Sequence, residues 1–153
     1  MKILFVCHGN ICRSPMAEYV LRDICEKRGI KGVYVESAAT SSEELGNGVH
    51  YGTRGILDRL GIDCSKKRAR KITKSDYEEF DLLIGMDGAN IQNMLRFWGD
   101  EKHKLHLLSE FAENPNSRDI SDPWYTGDFE STYRDVKAGC EGLAELLSYY
   151  KPK

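Results

Sequence analysis

The chain contains no apolar run approaching the roughly 20 residues that a membrane-spanning helix needs, so no transmembrane segment is expected. It carries no excess of charge of one sign, with 22 Lys and Arg against 24 Asp and Glu. The resulting net charge of −2 gives nucleic acid or a membrane surface no general attraction. Histidines are scarce, and His8, His50, His103 and His106 lack the spacing of a ligand set, so neither a metal nor another cofactor is expected. Five cysteines form an odd set outside any small secreted framework, which argues for free thiols in a reducing cytoplasm. No leader is expected, because strand-like sequence begins at residue 2. Repeats, linkers and low-complexity segments are absent.

What is present suits one soluble domain spanning 1–153, with 41% hydrophobic and 30% charged residues. Apolar runs of strand length alternate with helical periodicity. Ile3 to Val6, Val33 to Ser37, Asp81 to Met86 and Lys104 to Leu108 read as four strands. Helices are expected at Pro15 to Arg28, at Val49 to Leu60, around Ile91 to Trp98, and in a long C-terminal stretch striped by Phe129, Tyr133, Val136, Cys140, Leu143 and Leu147. Alternation of this kind predicts an α/β fold with a four-stranded parallel sheet and helices on both faces. Ligands then bind beyond the carboxyl ends of the strands, where Cys7 falls.

Cys7 and Arg13 bracket a short loop between the first strand and a helix start, with Ser14 expected as cap and Pro15 at the first helical position. Backbone amides of such a loop converge on one point, the helix dipole adds partial positive charge, and Arg13 offers a planar fork matching phosphate oxygens. A thiol facing such a pocket is favoured as its nucleophilic thiolate. A nucleophile aimed at a tetrahedral anion describes a phosphatase site. Gly9 is expected to supply the unusual backbone dihedrals and Asn10 to brace the loop through its amide. Ser14 can also hydrogen-bond the Cys7 sulfur, whereas the His8 side chain is expected to point away from a pocket lined by amides. A proton donor for the leaving oxygen is sought in the long polar loop from Glu113 to Asp128, which contains Asp119, Asp122 and Asp128.

VCHGNICRSPMAE resembles the active-site signature of the low-molecular-weight protein tyrosine phosphatases, and DPWY resembles their DP-aromatic-aromatic loop. The resemblance extends along nearly the whole chain and implies a flavodoxin-like three-layer fold. It also implies a cysteinyl-phosphate intermediate on Cys7, phosphate binding by Arg13 and the residue 8–13 amides, and Asp122 as general acid and base. Ile11, Cys12, Trp124 and Tyr125 are then pocket residues, the two aromatic rings walling it. From the residues alone Cys12 is a small loop filler; the resemblance implies a partner that captures oxidised Cys7 as a disulfide.

Two departures stand out. Relatives often pair the loop Asn and Ser with a Ser after strand two and a His; here Asn10, Ser14 and Ser37 are present but Lys67 takes the histidine's place. Where relatives carry an aromatic or apolar wall, this chain offers Glu43 or Glu44. Asp81, Asp87 and Asn90 are expected to end a strand and cap a helix, and the basic run Lys66 to Lys71 to be a solvated face. The resemblance implies phosphotyrosine proteins as substrates, inorganic phosphate or other oxyanions as loop ligands and, by analogy with bacterial relatives, a polysaccharide-export tyrosine kinase as partner. Rival activities are a protein-arginine phosphatase, disfavoured by Ile11 where such enzymes carry Thr, and an arsenate reductase, disfavoured because residues 81–99 hold no cysteine. A silent anion-binding module would have lost the nucleophile, the arginine or the acid; this chain keeps all three.

Overall fold

The computed structural model describes residues 1–115 and 118–149. In chain order the elements are β1 (Lys2–Cys7), α1 (Arg13–Arg28), β2 (Tyr34–Ala39), α2 (Tyr51–Arg59), α3 (Asp76–Glu79), β3 (Leu82–Gly85), α4 (Gly88–Trp98) and β4 (Leu105–Leu107). A single 3₁₀ turn at Leu108–Phe111 then leads to α5 (Pro123–Thr126) and α6 (Phe129–Ser148). The sheet is parallel throughout, in the order β2-β1-β3-β4.

Strand β1 is central and apolar because both its faces are covered. Ile3, Phe5 and Cys7 face one layer, packing with Met16, Leu21 and Val20 of α1, Ile56 and Leu57 of α2, and Val136, Cys140 and Leu143 of α6. Leu4 and Val6 face the other, against Tyr77 of α3, Phe80 just after it, and Met94 of α4. Each fully buried Leu, Ile or Phe here contributes about 1.5–3 kcal/mol of transfer free energy. The layers are therefore helix, sheet, helix: the expected flavodoxin-like arrangement.

This order reverses direction at β1, because the chain pairs β2 on one side and crosses back to place β3 on the other. The crevice so created opens at the carboxyl ends of β1 and β3. No helix among the described residues is long and apolar enough to cross a membrane.

Several element boundaries differ from expectation. Strand β2 continues two residues past Ser37 to Ala39, whose N–H bonds to Arg70 O. Strand β3 is shorter than Asp81 to Met86, because Asp81 turns its carboxylate to the Lys2 N–H and Met86 N–H bonds to Asn90 Oδ1. Two four-residue helices, α3 and α5, are too short to leave a periodic signal. Helix α1 stops where expected, at Gly29 with φ 67°. Helix α6 presses against the 3₁₀ turn so closely that a Cβ on Gly142 would lie 1.7 Å from Phe111 O; only glycine fits.

Candidate active site

The loop from Cys7 to Arg13 is turned inside out by its neighbours. The carbonyls of Cys7 and His8 accept N–H groups from Thr40 and Ser41, that of Ile11 accepts His50 N–H, and that of Cys12 accepts the Thr53 hydroxyl. With these oxygens engaged outside the loop, its amides are left for the inside. Asn10 N–H donates to Cys7 Sγ at 3.3 Å.

Asn10, not Gly9, is the left-handed residue of the loop, with φ 58°. Asparagine tolerates that conformation, and here its side chain is saturated. Nδ2 donates to Ser14 Oγ at 2.8 Å and to Ser37 Oγ at 2.9 Å, while Oδ1 accepts Arg70 N–H at 3.2 Å. Gly9 instead serves a close approach, since a Cβ there would meet Glu44 Cγ at 3.3 Å.

Ser14 does not cap α1. The N-cap position belongs to Cys12, which makes no side-chain capping bond, and Ser14 Oγ lies 3.0 Å from Cys7 Sγ. Because Asn10 already donates to that oxygen, the Ser14 proton is free to point at the sulfur.

Behind the loop lies a second tier that pattern reading missed. Ser37 Oγ donates to buried Glu18 Oε1 at 2.5 Å, and Arg22 reaches Glu18 Oε2 at 2.6 Å. Lys67 Nζ bonds Ser37 O at 2.9 Å and stands 3.4 Å from Glu18 Oε1. Burial lowers the Lys67 ammonium below its ordinary range, with Glu18 opposing the shift. The basic run is therefore a solvated face only in part: Lys66, Arg68 and Lys71 are exposed, whereas Lys67 turns inward, Arg70 clamps Asp76 and Glu36, and Ala69 is buried. Glu18 could not have been picked out from sequence, since Ser14 and Arg22 four residues to either side give it the pattern of a solvated helix position, although it is buried.

Arg13 is 2% exposed. Its Nη1 donates to Asp87 Oδ2 at 2.6 Å and to Ile120 O at 2.9 Å, and Nη2 stands 3.4 Å from Asp122 Oδ2. Burial acts to lower its pKa, but Cys7, Asp87 and Asp122 together outweigh burial and raise it. Asp87 caps α4 in a reciprocal box with Asn90, as expected, and in addition anchors this guanidinium across the crevice.

Asp122 has the extended backbone that a following proline imposes, φ −82° and ψ 111°. Its Oδ1 accepts Trp124 N–H at 3.0 Å, capping α5, with Pro123 at the first helical position. Ile120 N–H to Met86 O and Thr132 Oγ1 to Ser121 O fasten the loop just ahead of it.

A cavity of about 520 Å³, mouth included, is lined by Cys7, His8, Gly9, Ile11, Cys12, Arg13, Glu43, Glu44, Asp122, Trp124 and Tyr125. Asn10 and Ser14 stand behind its floor. His8 and Glu43 both line the cavity, and the exposed His8 ring bonds Glu43 Oε2 at 2.9 Å. Trp124 and Tyr125 are both exposed at the rim. Cys12 is buried beside Cys7, and burial first, then the Cys7 and Asp122 charges, push its thiol up to about 12. Cys25, Cys64 and Cys140 are buried away from this cavity. Among the described residues, no group of His, Cys, Asp and Glu is arranged to hold a metal ion.

Gly52 marks one more contact that the sequence did not reveal. A Cβ there would lie 2.5 Å from the Phe129 ring, so glycine lets the start of α6 sit against α2.

Comparison with known proteins agrees with this geometry. The family model described as low molecular weight phosphotyrosine protein phosphatase matches residues 2–152. The low molecular weight protein-tyrosine-phosphatase YfkJ of Bacillus subtilis is 41% identical over all of this chain and 98% of its own length. The PtpA protein of the same description from Staphylococcus haemolyticus is 39% identical, covering 95% of this chain and 92% of its own. The crystal structure of YfkJ superposes with a TM-score of 0.94, covering 99% of this chain and 97% of that one.

Proposed function

The chain belongs to the low molecular weight phosphotyrosine protein phosphatases, and on that premise we propose how its own residues hydrolyse phosphotyrosine in proteins. The enzyme is a protein-tyrosine phosphatase, a hydrolase of the family that works through a cysteine nucleophile. The observation that carries the residue assignment is the surrounding of Cys7 Sγ. It receives Asn10 N–H, faces the Ser14 hydroxyl and opens into the cavity that Arg13 and Asp122 share.

In the first step Cys7 Sγ forms a bond to phosphorus as the bond to the phenolic oxygen breaks, and Asp122 gives that oxygen its proton. Arg13, with Nη1 committed to Asp87 and Ile120, offers its remaining N–H groups with the loop amides to the equatorial oxygens. In the second step Asp122, now ionised, takes a proton from water as the water oxygen bonds phosphorus and the sulfur departs. Ser14 donates a hydrogen bond to the departing thiolate. The scheme uses no metal.

Ile11, at the cavity wall, suits an aryl ring better than a guanidinium and so favours phosphotyrosine over phosphoarginine. Inorganic phosphate is the expected product ligand of the loop. A phosphorylated bacterial tyrosine kinase is a partner suggested by analogy, and the chain is read as one phosphatase domain working in the cytoplasm.

Assay of a phosphotyrosine peptide beside phosphoarginine and arsenate tests the reading. Turnover of the peptide, with a phosphoenzyme that maps to Cys7 on acid trapping, is the expected result. Preferential turnover of phosphoarginine would overturn the substrate assignment, and a label elsewhere would overturn the nucleophile.

A further inference from the structure

His50 lies outside the cavity, yet it contacts the phosphate loop, the start of α2, the start of α6 and the aromatic residue beside Asp122. Its backbone N–H donates to Ile11 O of the phosphate loop at 2.9 Å. Its Nδ1 accepts Gly52 N–H at 3.1 Å, capping α2. That bond requires an unprotonated Nδ1 and so selects the Nε2–H tautomer. The ring stacks on Phe129 at 5.1 Å and 15°, lies 4.3 Å from Tyr51, and meets the edge of Trp124 at 5.7 Å and 77°. Phe129 in turn packs on Ile11, Cys12 and Ala69, and Trp124 N–H is bonded to Asp122.

We propose that neutral His50 is a positioning residue that holds Trp124, and through it Asp122, in place over the phosphate loop. The proposal rests on Asp122 being the proton donor. Aromatic pairs of this geometry are favourable beyond the area they bury, and here they join α2, α5 and α6 around one ring. Protonation would put a hydrogen on Nδ1 facing the Gly52 N–H, and this donor–donor repulsion, beyond the mere loss of the cap, would push the ring off its seat.

Charge around the ring is sparse. Glu44, from the loop after β2, favours the imidazolium, while Arg54, one turn along α2, opposes it. Tyr51 adds a phenol, and Phe129 and Trp124 contribute uncharged faces from α6 and α5. Burial is the strongest influence and favours the neutral ring.

Two substitutions separate the ring's roles. His50→Asn keeps an acceptor for Gly52 N–H without the aromatic platform, and His50→Phe keeps the platform without the acceptor or the titration. Both are compared with the parent for kcat on aryl phosphates of graded leaving-group acidity and for tryptophan emission against pH. In the parent, emission from Trp124 should fall on acidification through the histidine range, roughly pH 7 to 5, as an imidazolium forms beside it. Both variants should lose that transition. His50→Asn should lower kcat about tenfold for phosphotyrosine, the scale of a small misplacement of a catalytic group, and much less for acidic leaving groups. Over the same pH range kcat of the parent should decline with the emission, and His50→Phe should keep most of the neutral-pH kcat and lose that decline.

A uniform loss across leaving groups in His50→Asn, with emission titrating as in the parent, would overturn the proposal and leave His50 a helix cap. If neither variant folds, the parent and Trp124→Phe decide by emission alone. Absence of an acid transition that depends on Trp124 would then overturn it. Asp122→Ala run alongside separates the two readings. If it shows no leaving-group dependence, the assignment of Asp122 fails, whereas normal Asp122→Ala behaviour with inert His50 variants overturns only the role of His50.

Discussion

Arg13 Nη1 lies 2.6 Å from Asp87 Oδ2, a part-buried pair that spans the crevice between helices on opposite faces of the sheet. Arg13 opens α1 and Asp87 caps α4, so neither helix can move at its N-terminus without disturbing the guanidinium. The same arginine stands 3.4 Å from Asp122, which ties the proton-donor loop to the charge that would bind the substrate anion.

Cys7→Ser should abolish turnover while leaving phosphate binding intact, since the loop amides and Arg13 remain. Cys12→Ser should be far milder. With its thiol pushed up to about 12, Cys12 is neutral at pH 7, so iodoacetamide should label Cys7 first, as read by peptide mass spectrometry. Residual turnover comparable to the parent in Cys7→Ser would refute the mechanism.

Asp122 has two jobs that different substitutions separate. Asp122→Asn keeps an acceptor for Trp124 N–H and removes the proton, so it should lose roughly 10²–10⁴-fold in kcat for phosphotyrosine. The loss should shrink for aryl phosphates with acidic leaving groups. Asp122→Ala also removes the cap and should in addition lower thermal stability by about 1 kcal/mol. Equal losses for all leaving groups in Asp122→Asn would mark a turn residue only.

Lys67→Met should test the second tier. It removes the ammonium facing Glu18 but leaves Arg22 and Ser37 on that carboxylate, so denaturant unfolding should show a loss of about 1–3 kcal/mol rather than collapse. Because Ser37 also holds Asn10, phosphate affinity should weaken as well. Unchanged affinity would confine Lys67 to stability.

Glu43 and His8 pair at the cavity mouth with both side chains more than half exposed, 69% and 51%, so the pair itself contributes little to stability. Glu43→Leu should leave unfolding nearly unchanged. It should raise kcat/KM for aryl phosphates, mainly through KM, with the gain shrinking at high salt. Peptides acidic beside the phosphotyrosine should benefit most. No change in peptide preference would remove Glu43 from the recognition surface.

The acid-side stability of the fold should depend on His50. Its folded pKa lies below the ordinary 6.5, so between those values the unfolded chain binds more protons than the folded one. The stability associated with a neutral His50 is therefore fully present above about pH 6.5 and is lost as pH falls below it toward the folded value. Chemical denaturation from pH 7.5 to 5 should show a shallower decline in His50→Asn than in the parent; parallel curves would contradict this.

The fold and much of the cavity lining were legible because they follow from local rules. An apolar β1, a glycine-stopped α1 and regular alternation of strand and helix lead directly to the layered sheet, and Asp122 is fixed in extended form by its proline. What escaped was set by tertiary packing. Glu18 and Lys67 find each other only because α1 and the segment before α3 meet behind β2. Likewise Ser14, a good cap by type, is drawn off to the Cys7 sulfur, and the strained residue of the loop is Asn10 because only its amide can satisfy Ser14, Ser37 and Arg70 together. His50 gave no sign in sequence, its neighbours Phe129 and Trp124 being more than seventy residues away.

The saturated Asn10 side chain has a thermodynamic corollary. Since the loop's curvature is secured by bonds within the protein, its ordering is completed during folding and not when an anion arrives. Oxyanion binding should therefore carry little heat-capacity change and should leave backbone amide exchange in the loop already slow. Affinity for phosphate or vanadate then reflects charge and geometry alone, with no ordering entropy to offset.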